Sequence, residues 1–185
     1  MRSLEPMKSP TRLVVLLRGV NVGSAKRISM SEFTSLLMQL GATEVRTVLN
    51  SGNAACTSAS AADEFAGSVS QAIADRCGFE VDVLVRTAQE FAAVAALDPL
   101  GSVAVDASRS LVLFLSESPD ASSLAALRAA DLKPDQWRLS GRELYAWMPD
   151  GVSVSPLNKF LMRGNLAVAW TGRNRTTIDR IAGLL

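Results

Sequence analysis

The sequence predicts an α+β fold: two tandem ferredoxin-like βαββαβ subdomains with antiparallel sheets, the second followed by a C-terminal helix. Three observations carry that reading. Strand-length runs alternate with helix-period segments in the order βαββαβ, and the order is run through twice. Each unit also places a Ser-Gly dipeptide, Ser51-Gly52 or Ser140-Gly141, between its second and third strand-like runs, where a tight hairpin belongs. Finally, 185 residues with a 48% hydrophobic and 20% charged composition are enough to bury two small cores without staples.

Taken in order, residues 1–10 hold two basic residues with no apolar core behind them, so they read as a disordered tail and not as a signal peptide, with Met7 as a second candidate start. Residues 13–17 form a buried-type strand. Ser29 and Glu32 have capping-box spacing, and Phe33, Leu36, Leu37 and Leu40 then repeat at helical intervals until Gly41. Strands follow at 45–50 and 53–57 around Ser51-Gly52. A second helix runs through Phe65, Val69, Ala72, Ile73 and Cys77 to Gly78, and residues 80–86 alternate as a fourth strand. Thr87 and Glu90 cap a short helix that Asp98-Pro99-Leu100-Gly101 breaks, and residues 88–108 read as a helical linker.

The second unit repeats the plan with a strand at 111–115, a helix introduced by Pro119-Asp120, and strands at 136–139 and 143–148. A helix from Ser155-Pro156 and a strand at 166–170 complete it. Ile178, Ile181, Ala182 and Leu185 mark a terminal amphipathic helix. The domain boundaries expected are therefore 11–87 and 109–185.

Composition excludes a good deal of chemistry. There is no histidine, which removes Ser-His-Asp and Cys-His catalysis and His-containing zinc sites. Cys56 and Cys77 are too few and too scattered for a disulfide framework or a metal knuckle, and buried free thiols in a reducing cytoplasm are expected. The apolar runs at 13–17 and 111–115 are five residues each, far short of a membrane span. No metal, cofactor or complete catalytic constellation is expected, and the acids are dispersed. The net charge of +1 conceals an asymmetry: residues 1–30 carry six Lys/Arg and one acid, residues 151–185 five and one, and the middle eight against sixteen. The basic ends form a phosphate-attracting face if the fold joins them, and scattered solvated charge otherwise.

The densest cluster of non-core signals is Arg18-Gly19-Val20-Asn21-Val22-Gly23-Ser24, directly after the first strand. In a βαββαβ unit this loop shares one end of the sheet with the turn between strands two and three and with the start of strand four. Arg18, Asn21, Gly23 and Lys26 are therefore expected beside Asn50, Ser51 and Asn53, with Arg27 on a basic rim. Such a set is rich in donors and poor in titratable acid, which suits an anion or a carbonyl. Gly19 to Lys26 lacks the spacing and the Lys-Ser/Thr ending of a nucleotide P-loop. The same residues also fit a structural role, because Asn and Gly cap turns and adopt left-handed backbone. Arg173, Asn174 and Arg175, ahead of the last helix, form a possible second anion site, with Asn174 equally suited to capping that helix. Trp137, Tyr145, Trp147 and Trp170 fall in strands of the second unit, where filling a core outranks stacking bases, so nucleic-acid binding is weakly supported.

The segments Leu17-Arg18-Gly19-Val20-Asn21-Val22-Gly23, Ile28-Ser29-Met30 and Val45-Arg46-Thr47-Val48-Leu49-Asn50-Ser51-Gly52-Asn53, with residues 79–87, 155–157 and Arg173-Asn174, resemble the bacterial domain-of-unknown-function family 1697 over nearly the whole chain. The resemblance implies tandem ferredoxin-like units and no established activity. The chain departs from the family's pattern at Ser24, where a second glycine is usual, at Asn50 in place of glutamine, and at Arg175 in place of tryptophan. The sequence points to a cytoplasmic protein of unknown function that binds a small anionic or phosphate-bearing ligand at the Arg18 loop and the Asn50–Asn53 hairpin. The alternative is a protein-interaction module using an exposed sheet edge or face, with the loop structural.

Overall fold

The computed structural model describes residues 9–185, so the tail predicted at residues 1–10 falls largely outside the described residues. Its element order is β1 (Thr11–Leu17), α1 (Met30–Gln39), β2 (Thr43–Val48), β3 (Asn53–Ser58), α2 (Ala62–Cys77), β4 (Val83–Thr87), α3 (Ala88–Ala96), β5 (Ser110–Leu115), α4 (Ala121–Ala129), β6 (Gln136–Ser140), β7 (Glu143–Trp147), α5 (Pro156–Met162), β8 (Trp170–Asn174) and α6 (Arg175–Ala182). Two four-stranded antiparallel sheets result, ordered β2-β3-β1-β4 and β6-β7-β5-β8, which is the ferredoxin-like order in both. The chain divides into two compact units. The first runs to Ala92 and includes Ile181–Leu185, and the second is Ala93–Arg180.

Each unit follows from its apolar periodicity. In the first, Leu13, Val15 and Leu17 alternate onto one face of β1 and meet Phe33, Leu36 and Leu37 of α1 and Phe65, Val69 and Ile73 of α2, all essentially inaccessible. Each such side chain contributes about 1.5–3 kcal/mol of burial free energy. Leu111, Leu113 and Leu115 of β5 do the same in the second unit, against Leu127, Leu157 and Leu161. The Ser29/Glu32 capping box forms in full at the start of α1.

The two sheets share one register, which the sequence conceals. Val14 lies opposite Arg86 and Val112 opposite Arg173; both arginines are buried on the last strand of their unit. Leu17 N–H donates to Gly52 O at 2.8 Å, as Leu115 N–H does to Arg142 O at 2.9 Å. Arg18 N–H donates to Asp82 O at 3.0 Å, and Ser116 N–H to Ala169 O at 2.8 Å. Position by position, Ser116, Arg142 and Ala169 thus stand where the first unit has Arg18, Gly52 and Asp82.

Three local expectations need correction. The hairpin connection of the first unit is four residues, 49–52, because Leu49 takes a left-handed backbone (φ 58°) and ends β2 at Val48. Strand four starts at Val83, not at 80. The last strand is Trp170–Asn174 and not 166–170. Ala167 turns left-handed (φ 54°), and the apolar 166–170 run supplies core from an irregular segment while the more polar Trp-Thr-Gly-Arg-Asn run pairs with β5. Arg173 and Asn174 are consequently strand residues, and Arg175 opens α6.

Candidate functional site

Residues 18–29 connect β1 to α1, whereas residues 116–120 make the equivalent connection in the second unit, twelve residues against five. The longer loop is folded by its own side chains. Val20 and Ile28 are buried as anchors, and Gly19, Asn21 and Gly23 take positive φ. Asn21 organises the rest. Its N–H donates to Lys26 O at 2.7 Å, its Nδ2 donates to Ile28 O at 2.8 Å and Asn50 O at 2.7 Å, and its Oδ1 accepts from Ile28 N at 3.1 Å. One carboxamide thus closes the loop and fastens it to the hairpin turn.

The loop and the hairpin adjoin, but the predicted side chains divide among different tasks. Arg18 turns toward strand four, where its guanidinium meets Asp82 Oδ2 at 3.0 Å in a partly exposed pair. Lys26 Nζ donates to Glu80 O at 2.6 Å and lines a separate depression of about 440 Å³ with Ser70, Gln71 and Asp82. Asn53 is fully buried, its Nδ2 donating to Val48 O and Ser51 Oγ, both at 2.9 Å. It holds the turn closed from inside. Gly23 has no atom within 4 Å of the position a Cβ would take, so it serves the backbone alone. Gly52 is different: a Cβ there would meet Leu17 Cβ at 2.7 Å, so the hairpin needs its absence to lie against β1.

An open groove of about 490 Å³ lies where loop, hairpin and helix meet, lined by Asn21, Arg27, Ile28, Ser29, Met30, Glu32 and Asn50. Glu32 Oε2 accepts from Ser29 N at 3.0 Å and Ser29 Oγ at 2.8 Å, and these bonds hold its carboxyl below the usual range. Arg27 is exposed and makes no hydrogen bond or ion pair among the described residues. The groove therefore offers one uncommitted cation, Arg27, beside the Asn50 side chain, while the Asn21 carboxamide and the Ser29 hydroxyl on its wall are held by the loop and the capping box. The carboxylate of Glu32 bonds the Ser29 amide and places a negative charge at the helix N-terminus, so an incoming anion has Arg27 as its main counter-charge. Sequence reasoning gave Arg27 only a place on the rim and missed Ser29 and Glu32. The capping box was the signal that would have found them.

The second cluster is committed within the fold. Arg173 is buried in β8, donating to Thr171 Oγ1 and Gly172 O, each at 2.8 Å, and burial lowers its pKa to about 10, which leaves it charged at neutral pH. Asn174 Oδ1 accepts from Thr177 N at 2.9 Å and so caps α6. Arg175 donates to Ala95 O in the last turn of α3 and to Leu97 O just beyond it, and pairs with Asp179. A cation among terminal helix carbonyls fills the place for which the family pattern has tryptophan. Tyr145 and Trp147 are buried and Trp137 and Trp170 half-buried against the second core, with Tyr145 Oη donating to Val94 O at 3.3 Å. Among the described residues no group of three or more Cys, Asp or Glu is placed to hold a metal, and no helix is long and apolar enough to cross a membrane.

The model of a family described as a protein of unknown function, DUF1697, matches residues 11–145. No curated protein matches the chain. Among solved structures, the chain is similar to the conserved bacterial protein SP0830 from Streptococcus pneumoniae, at 24% identity and a TM-score of 0.76, over 95% of this chain and 99% of that one. At that identity the likeness shows the fold.

Proposed function

The chain belongs to the DUF1697 family, and on that premise we propose that it binds a small phosphate- or carboxylate-bearing ligand in the groove between the Arg18 loop, the hairpin turn and the start of α1. One observation carries the reading. Arg27 has no hydrogen-bond or ion-pair partner among the described residues and lines the groove with Asn21, Ser29 and Asn50, and a loop more than twice the length of its counterpart builds that groove. The ligand's anionic group sits against the Arg27 guanidinium, and Glu32, which also lines the groove, repels a second anion, so a single charged group on a neutral or cationic body fits best. Lys26 adds positive potential nearby without touching the ligand, while Arg18 is offset by Asp82. Because Cys56 and Cys77 are both free, we place the protein in a reducing cytoplasm.

Thermal-shift titration with inorganic phosphate, nucleoside monophosphates and amino acids tests the reading. Saturable stabilisation by at least one of them, lost in Arg27→Ala and retained in Arg18→Ala, is expected. A flat response to every anion, or loss with Arg18→Ala alone, contradicts it.

A further inference from the structure

The edges of the two sheets are not alike. In the first unit the outer strand β2 is interrupted: Glu44 takes a left-handed backbone (φ 50°) and the register slips between Thr43 and Arg46, a bulge that spoils the edge for further pairing. The corresponding strand β6 is regular, pairing with β7 without a break from Gln136 to Ser140. The intervening turn is the two residues Gly141 and Arg142, so Ser140 and Glu143 form the closing hydrogen-bonded pair, and Arg138 and Gln136 bond to β7 in alternation with it. The N–H and C=O groups of Trp137 and Leu139 consequently face the open edge. One of them is already sought by a donor: Arg138 folds its guanidinium back to Trp137 O at 2.9 Å.

A groove of about 500 Å³ runs beside this edge, lined by Arg128, Asp135, Gln136, Trp137, Arg138 and Leu139. Its wall includes a buried carboxylate. Asp135 is 8% exposed; its Oδ2 accepts from Ser155 Oγ at 2.6 Å and Leu157 N at 3.0 Å, while its Oδ1 has no hydrogen-bond partner. Arg128 and Arg138 form no ion pair among the described residues, so the groove holds two cations without a counter-charge.

We infer that the open edge of β6 is a strand-addition site for an extended segment of another protein in which apolar and acidic residues alternate. The alternation follows from the pleat. Trp137 and Leu139 pack toward the core face and Arg138 toward the other, and an added strand continues both faces, with apolar residues beside the first pair and acids beside the arginine. A second copy of this chain is the poorer occupant. Two-fold pairing that uses all the outward groups centres on Arg138 and sets arginine against arginine, a like-charge cross-strand pair.

The full chain, titrated with acetyl-Val-Glu-Val-Glu-Val-Glu-Val-amide and read by residue-resolved amide exchange, tests the inference. Without peptide, Gln136, Arg138 and Ser140 exchange slowly and Trp137 and Leu139 fast; the peptide protects Trp137 and Leu139. Replacing glutamate by lysine in the peptide, or Arg138→Glu in a protein of unchanged melting temperature, weakens protection by about tenfold. Absence of protection, equal protection by both peptides, or protection of these amides without peptide at concentrations where the mass doubles each overturns it.

Discussion

At the scale of single residues, Asn21 is the most informative position. A short carboxamide in left-handed backbone makes three side-chain hydrogen bonds that fasten residues 21–28 to the hairpin turn. Asn21→Ala loses these bonds and puts alanine at φ 58°, so a loss of about 2 kcal/mol in urea unfolding is expected, and a change within error contradicts the clamp. Gly52→Ala sets a Cβ 2.7 Å from Leu17 Cβ at φ 75° and costs about 2–3 kcal/mol by the same measurement. Glu32 governs behaviour in acid. Its folded pKa lies below the ordinary 4.5 because it accepts from the Ser29 side chain and backbone, so its contribution is complete above that value and is lost as pH falls through the folded value. Melting temperature should therefore drop more steeply in acid for the wild type than for Glu32→Gln, and parallel profiles refute this. That the loop and hairpin adjoin is legible in the sequence, since topology alone brings those strand ends together. That Arg18 leans to Asp82 is not, because a long side chain chooses among neighbours at comparable distance on the basis of rotamer and local charge.

At the scale of elements, helices were easier to read than strands. Ser29, Thr87, Asp120 and Ser155 all announce helix starts, and each caps the helix that the spacing predicts. The last strand was misplaced because its buried face carries Thr171 and Arg173 where a buried strand is expected to be apolar, while the genuinely apolar 166–170 run turns at Ala167. The cap at its end carries a testable weight. Asn174→Ala removes the acceptor for Thr177 N and should cost about 1 kcal/mol, with faster amide exchange confined to the first turn of α6; unchanged exchange there contradicts the cap.

At the scale of the molecule, the two units act as an internal comparison. They share a strand order, a register and a buried arginine on the last strand, yet only the first has the long β1–α1 connection, and at the aligned positions the second substitutes Ser116 for Arg18 and Arg142 for Gly52. The repeat was visible as a pattern and not as residue identity, because the positions that coincide are backbone bonds and one polar residue in a strand. The binding proposed for the groove therefore belongs to one unit of a repeated scaffold. The thiols differ: Cys77 is only half-buried, against the expectation that both are buried, whereas burial raises Cys56 to about 11, so Cys56 should resist iodoacetamide near neutral pH until the protein unfolds, and labelling of Cys56 in native Cys77→Ser protein contradicts that burial. The most direct measurement of the central claim is a heteronuclear NMR titration of the whole chain with inorganic phosphate and a nucleoside monophosphate. Saturable shifts confined to Asn21, Arg27, Ser29 and Asn50, absent from residues 116–120 and abolished by Arg27→Ala, are predicted; shifts that never saturate, or that fall equally on both units, contradict the account.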